Sequence, residues 1–150
     1  MSTVNENRNL AAAAATSFFK GNIPDKELES CVNTIKAATG GIPANGSYIC
    51  AIFYFRPSIT INCGGKSWTF FGNAGGLGGI GGGSTNGDVY LADGVTCDEL
   101  VHNTKSFQFN GALVYFNINF FDANSKFLGS FHGGGVGTCP GTGGGTGSWS

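Results

Sequence analysis

The chain has 150 residues, the usual size of one domain, and a formal net charge of -1. Charged residues make up 11% of it, against roughly 25% in an average soluble domain. No run of Lys or Arg occurs. That excludes the electrostatic footprint of a nucleic-acid binder and of a polybasic lipid anchor, while so small a net charge favours self-association.

Glycine supplies 27 residues and phenylalanine 13. The glycines are interleaved with Phe, Tyr, Trp, Leu and Ile, residues that disordered tracts avoid, so the composition reads as folded β structure. A chain of this length buries roughly two thirds of its unfolded surface and needs neither metal nor disulfide to hold a core. The five cysteines are Cys31, Cys50, Cys63, Cys97 and Cys139, with no Cys-x-x-Cys pair, and the histidines are His102 and His132. That spacing does not suit zinc. The thiols are expected to be free and buried, with one disulfide through Cys50 or Cys63 as the alternative.

In chain order, residues 1–41 read as a helical segment and residues 42–150 as β structure, together forming one domain. Asn9 to Phe19 is Ala-rich and predicts a short helix. A second helix opens at Pro24, with Asp25, Glu27 and Glu29 near its positive end. Leu28, Cys31, Val32 and Ile35 give it one apolar face, and Gly40-Gly41 ends it. The Ala11–Ala15 run is too short for a signal h-region and lacks a basic n-region. No stretch approaches the ~18 apolar residues of a membrane span. The expectation is either a mature form or a protein that leaves its producer without a classical signal, extracellular or host-facing after release.

From Ser47 the period changes. Tyr48 to Phe55 predicts a strand, Pro57 a break, and Ser58 to Cys63 a half-buried strand. Gly64-Gly65 predicts a hairpin turn before the strand Lys66 to Phe71. A glycine tract, Gly75 to Gly83, is followed by a predicted turn at Asn86-Gly87 and a short strand at Val89 to Leu91. Thr96-Cys97-Asp98-Glu99 has capping-box spacing and predicts a helix over Cys97 to Asn103. Strands follow at Ser106 to Asn110, Leu113 to Phe121 and Lys126 to Phe131, with Asn124 in a turn. A second glycine tract runs from Gly133 to Gly147 and leads to Trp149. The halves 47–92 and 105–150 thus share a plan: strands, an aromatic strand, a glycine strand. The architecture expected is mainly β: a closed antiparallel barrel of about eight strands, with glycine permitting close strand approach and aromatic rings filling the space. Closure removes adhesive edges.

No catalytic, cofactor or metal motif emerges. Gly64-Gly65-Lys66-Ser67 mimics the end of a phosphate-binding loop, but the motif needs glycine where Thr60 stands and a helix where Trp68 to Phe71 reads as strand. The glycine spacings of Gly76 to Gly83 lie outside any βαβ unit. His102 and His132 would need Cys31 or Cys97 nearby for nucleophilic catalysis, and nothing in the spacing brings them together. Asp88, Asp93, Asp98, Glu99 and Asp122 sit beside predicted turns and read as solvated carboxylates. Trp68 and Trp149 suit the core, or else an aromatic face for sugar or lipid. Asn45-Gly-Ser47 fits a glycosylation sequon.

Ser106-Phe-Gln-Phe-Asn110, Tyr115-Phe-Asn-Ile-Asn-Phe-Phe-Asp122, Phe127-Leu-Gly-Ser-Phe-His-Gly-Gly134 and Gly141-Thr-Gly-Gly-Gly-Thr-Gly-Ser-Trp149 resemble the core of the VapA/VapB-type virulence-associated protein family. The resemblance is clearest over 105–149. It implies an eight-stranded barrel with a short helix between two halves. It also implies a non-enzymatic, host-facing effector with no catalytic residues to carry over, from a group that disturbs endolysosomal membranes. The function expected is a virulence factor or toxin, insecticidal action included, that binds a host membrane lipid or a surface receptor. A lectin-like module is the rival reading.

Overall fold

The computed structural model describes residues 41–51, 54–75, 80–111, 116–137 and 141–150. Both predicted N-terminal helices lie outside them. Eight strands appear: β1 (Ile42–Ala51), β2 (Tyr54–Cys63), β3 (Lys66–Ala74), β4 (Gly81–Leu91), β5 (Ser106–Gly111), β6 (Phe116–Phe121), β7 (Phe127–Gly137) and β8 (Gly141–Trp149). One helix, α1 (Cys97–Asn103), separates β4 from β5.

Every pairing is antiparallel, and the strands close in the order β1-β2-β3-β8-β5-β6-β7-β4. The first half reads β4-β1-β2-β3 and the second β8-β5-β6-β7. Each is therefore a Greek key, and the internal repeat in the sequence is a repeat of topology. The halves join twice, third strand to fourth each time, through β3–β8 and β4–β7.

Period-two alternation sets the inside. Tyr48, Phe55, Ile59, Phe70, Val89, Phe107, Phe109, Phe116, Ile118, Phe120, Phe131 and Trp149 are all buried in one core. Phe55 stacks on Phe109 at 4.0 Å and Tyr48 on Phe116 at 5.0 Å. Phe70 meets Phe107, Phe120 and Trp149 at 5.0 to 5.4 Å. Glycines lie beneath these rings. A Cβ on Gly72 would sit 2.6 Å from the Phe107 ring, and one on Gly143 2.8 Å from that of Phe109. A Cβ on Gly145 would overlap the Asn73 carbonyl of the neighbouring strand.

Two predicted breaks lie inside strands. Pro57 is in β2, where the β2–β3 pairing runs up to Ser58–Phe71, is interrupted, and resumes at Phe55–Ala74. The interruption accommodates a residue with no N–H to donate. Asn86-Gly87 is in the middle of β4. Gly87 is there because a Cβ would overlap the His132 carbonyl of β7, a packing demand that resembles a turn signal in sequence. The predicted strand Tyr48 to Phe55 spans the β1–β2 connection, and β1 begins six residues before its start. Gly64-Gly65 does form the hairpin turn, with φ of 64° and 79° between paired Cys63 and Lys66.

The helix over 97–103 is as predicted. Thr96 Oγ1 accepts the Glu99 N–H at 3.1 Å, while the Glu99 carboxylate turns to Lys126 instead of closing the box. At the other end Thr104 Oγ1 donates to the Leu100 carbonyl and accepts from the Trp149 indole at 3.2 Å. The free-thiol expectation is overturned. Cys63 and Cys97 form a disulfide that ties α1 to the β2–β3 hairpin. Cys50 is also disulfide-bonded. The spacing could not show this, because closure brings together residues 34 positions apart.

Two stability effects should be measurable. Gly145→Ala forces β3 and β8 apart and should cost about 1–3 kcal/mol, seen as a lower urea midpoint with unchanged m-value. Cys63→Ser with Cys97→Ser should cost roughly 2–4 kcal/mol, mainly by freeing the unfolded chain, and reduction of the unaltered protein should lower its Tm in the same direction.

Candidate functional site

The charged side chains are unevenly placed. Asp93, Asp98 and Glu99 are in or just before α1, and Lys105 directly follows it. Asp122 and Lys126 occupy the β6–β7 turn, joined to α1 by the Lys126–Glu99 ion pair at 3.1 Å. Lys66 is at the hairpin that Cys63–Cys97 fastens to the helix. One end of the barrel therefore carries these seven charges. Among the described residues, Arg56 is the charge on the outer face near the opposite end, and Asp88 lies between β1 and β7.

Around Arg56 the surface is apolar. Ile49 is 61% exposed, Ile80 76% and Phe71 57%, the large hydrophobic residues most open to solvent among those described. Alternation explains two of them. With Tyr48 and Cys50 inside, Ile49 must point out, and of the adjacent Phe70 and Phe71 only one can face the core. Ile49 is directly across from Arg56 on β2 and Gly82 on β4, and Ile80 precedes β4 beside it. The Arg56 guanidinium is 5.0 Å from the Tyr54 ring centre and donates to Asn73 Oδ1 at 3.0 Å, which holds the cation upright on the sheet. Phe71 is one rung further from this end, between Ser58 and Ser148. The next rung is Asn86, Asn45, Thr60 and Thr69, with the two threonine hydroxyls 3.0 Å apart.

The other candidates are placed elsewhere. Trp149 is buried in the core. Trp68 is half-buried beneath Lys66, at 4.3 Å, with its edge against His102. His102 is exposed on α1 and meets Asp98 one turn away at 3.2 Å. Cys97, on the same helix, has its sulfur in the disulfide. Asp122 Oδ1 accepts from the Asn124 and Lys126 amides and shapes a turn. Among the described residues no group of three His, Cys, Asp or Glu side chains could hold a metal ion, and no helix is long and apolar enough to cross a membrane.

His132 is on the outer face of β7, yet it is buried, with Nε2 2.9 Å from Ser130 Oγ. Burial holds its pKa down at about 3, well below the ordinary 6.5. Such a ring is neutral at physiological pH and serves as a hydrogen-bonding group. Asp88, its cross-strand neighbour, has its carboxyl pushed up by burial. The two act on stability in opposite directions. Between pH 6.5 and about 3 the unfolded chain protonates His132 and the folded one does not, so stability falls as pH falls. Asp88 contributes the reverse, because acid relieves its buried charge. His132→Asn should therefore flatten the loss of stability between pH 7 and pH 4, measured by urea unfolding at each pH unit.

Comparison with known proteins follows the fold. A family model described as Rhodococcus equi virulence-associated protein matches residues 2–150. The solved structure of virulence-associated protein VapB from the intracellular pathogen Rhodococcus equi is 35% identical, with a TM-score of 0.64 over 73% of this chain and 94% of that one. That of VapD from the same pathogen is 33% identical, with a TM-score of 0.64 over 73% of this chain and 96% of that one. Among curated proteins none matches. The Greek-key pair, the inter-half helix and a match across nearly the whole sequence make this chain a member of the Rhodococcus equi virulence-associated protein family.

Proposed function

We propose that this barrel is a non-enzymatic, host-facing virulence factor that binds the surface of host membranes through the end remote from α1. Family membership supports a virulence-related role. The observation that supports the membrane reading is the pairing of exposed Ile49 and Ile80 with Arg56 on an end free of described carboxylates. Large apolar side chains left in water at one end can insert at the level of the headgroups. Each isoleucine contributes up to about 1.5–3 kcal/mol on full burial, and a cation beside an anionic leaflet about 1 kcal/mol. The acidic residues of the α1 end face away, so approach by the apolar tip also keeps like charges from an anionic surface.

Vesicle sedimentation tests this. The protein should bind phosphatidylserine or phosphatidic acid vesicles more strongly than phosphatidylcholine vesicles. Ile49→Ser with Ile80→Ser should weaken binding at least about tenfold by the burial scale, and Arg56→Gln should abolish the preference for anionic lipid. These side chains are exposed, so the circular dichroism spectrum should not change. Absence of binding to every vesicle and to insect-midgut or macrophage membranes would remove the proposal.

A second reading rests on Phe71. Its exposed ring has Ser58 and Ser148 as cross-strand neighbours, with Asn73 and Thr69 two residues away on its own strand, hydroxyl and amide groups suited to hydrogen bonding a sugar stacked on the ring. The aromatic platform of the lectin reading is then Phe71, since Trp149 is buried and Trp68 is covered by Lys66. A glycan array with the unaltered protein and Phe71→Ala separates the readings: glycan binding lost in that variant, without any vesicle binding, supports the lectin.

A further inference from the structure

Alternation sets two short rows of side chains on the outside of β2, β3 and β8. Phe55 and Ile59 are in the core, so Tyr54, Arg56 and Ser58 point outward. With Phe70 and Trp149 inside, Phe71, Asn73, Thr146 and Ser148 do the same. In one row Ser58 and Ser148 flank Phe71. In the next, Arg56 and Thr146 flank Asn73. At the ordinary spacing of strands and of alternate residues the rows cover about 10 Å by 7 Å, a footprint suited to a small sugar. Phe71 and Arg56 are diagonal neighbours, within about 7–8 Å of each other along the sheet.

The second row is an organised cluster. Asn73 Oδ1 accepts from Arg56 Nε at 3.0 Å and from Tyr54 Oη at 3.3 Å. The guanidinium carbon stands 5.0 Å from the Tyr54 ring centre. The cation is therefore fixed by a hydrogen bond at one edge and by an aromatic face. Among the described residues, the Arg56 Nη groups and Asn73 Nδ2 have no hydrogen-bond partner. The open edge of a guanidinium matches the planar pair of oxygens in a carboxylate. A guanidinium already held in place also loses less side-chain entropy when it binds. Among the described residues, Arg56 is the sole charge in the two rows, which fits a monoanion better than a phosphate. No carboxylate there competes for it.

We propose that Arg56 and Asn73, beside Phe71, form a subsite for the carboxylate of an acidic sugar, a uronic or sialic acid residue of a glycan. The inference rests on the lectin reading and names its ligand class. The apolar face of the pyranose stacks on the exposed Phe71 ring. Its carboxylate takes the Nη edge of Arg56 and the Asn73 amide N–H. Ser58, Ser148 and Thr146 supply hydroxyl groups around it. Asn73 acts twice, its Oδ1 orienting the guanidinium and its Nδ2 donating to the ligand. The aromatic ring alone would accept a neutral sugar as readily, so the acid preference belongs to the second row.

Calorimetric titration of the full-length protein with matched sugars tests this. The pairs differ only in the acid: methyl glucuronide against methyl glucoside, and sialyllactose against its carboxyl-reduced form. In at least one pair the carboxylated member should bind about tenfold more tightly or better. Arg56→Gln should bring that pair to equal affinity. Asn73→Asp should do so too, because it seats a carboxylate against the cation. Phe71→Ala should weaken both members. Inorganic phosphate at the same concentration should not displace the acidic sugar. The three side chains are exposed, so the circular dichroism spectrum should not change. Equal affinity of the unaltered protein for both members, with Phe71→Ala still lowering both, overturns the inference and leaves the lectin reading standing. Displacement by phosphate as strong as by free glucuronide overturns it in favour of a general anion site. Binding of neither member removes the lectin reading and the inference together.

Discussion

The constraint on which the rest depends is the fit of aromatic rings over glycine backbone inside a small closed sheet. Eight strands leave a lumen that side chains must fill, and here the filling is phenylalanine. The Phe107 ring needs Gly72 beneath it, and Phe109 needs Gly143. Glycine on the wall and phenylalanine in the middle are therefore one device, and they explain together the composition that first sets this chain apart. The strand-to-strand approach at Gly87 and Gly145 is the same device read along the backbone. Stacked rings occupy the lumen, so the surface open to solvent is the outside of the barrel and its ends.

Topology then divides the outside into unlike regions. Two Greek keys joined by pseudo-symmetric seams need a connection between β4 and β5, and that connection carries α1. The helix is held by a disulfide, a hydroxyl cap and an indole hydrogen bond, so this end is the rigid and charged one. The far end is left with Ile49, Ile80 and Arg56. A molecule this sparing with charge becomes polar along its long axis merely by placing seven charges at one end. The apolar tip and the charged end are thus consequences of the same distribution.

The two halves share topology but not surface chemistry. The outer face of the first half opens Asn45, Ser47, Ser84 and Asn86 to water beside Ile49, Arg56 and Phe71. On the outer face of the second, Asn110, Asn117, Ser130 and His132 are shielded from water. The shielding governs the electrostatics: it keeps His132 neutral down to about pH 3 and raises the Asp88 carboxyl. Repeated topology with divergent faces lets one scaffold carry an exposed outer surface and a protected one.

Local signals in the sequence determined the mainly β barrel, the hairpin at Gly64-Gly65 and the helix over Cys97–Asn103, because turn chemistry, capping and period-two alternation act over a few residues. Alternation also contained the outward placement of Ile49 and Phe71, although the abundance of core aromatics concealed it. Other features were decided by tertiary structure alone. Pro57 within a strand depends on a gap in the β2–β3 pairing, and Asn86-Gly87 within a strand on how near β7 runs. The Cys63–Cys97 bond depends on where α1 comes to rest. The burial of His132 and Asn117 on the outer side of their strands is likewise not encoded in those strands alone. The physical reason is common to all of these: they are set by contacts between residues far apart in the chain, and closure of the barrel creates those contacts.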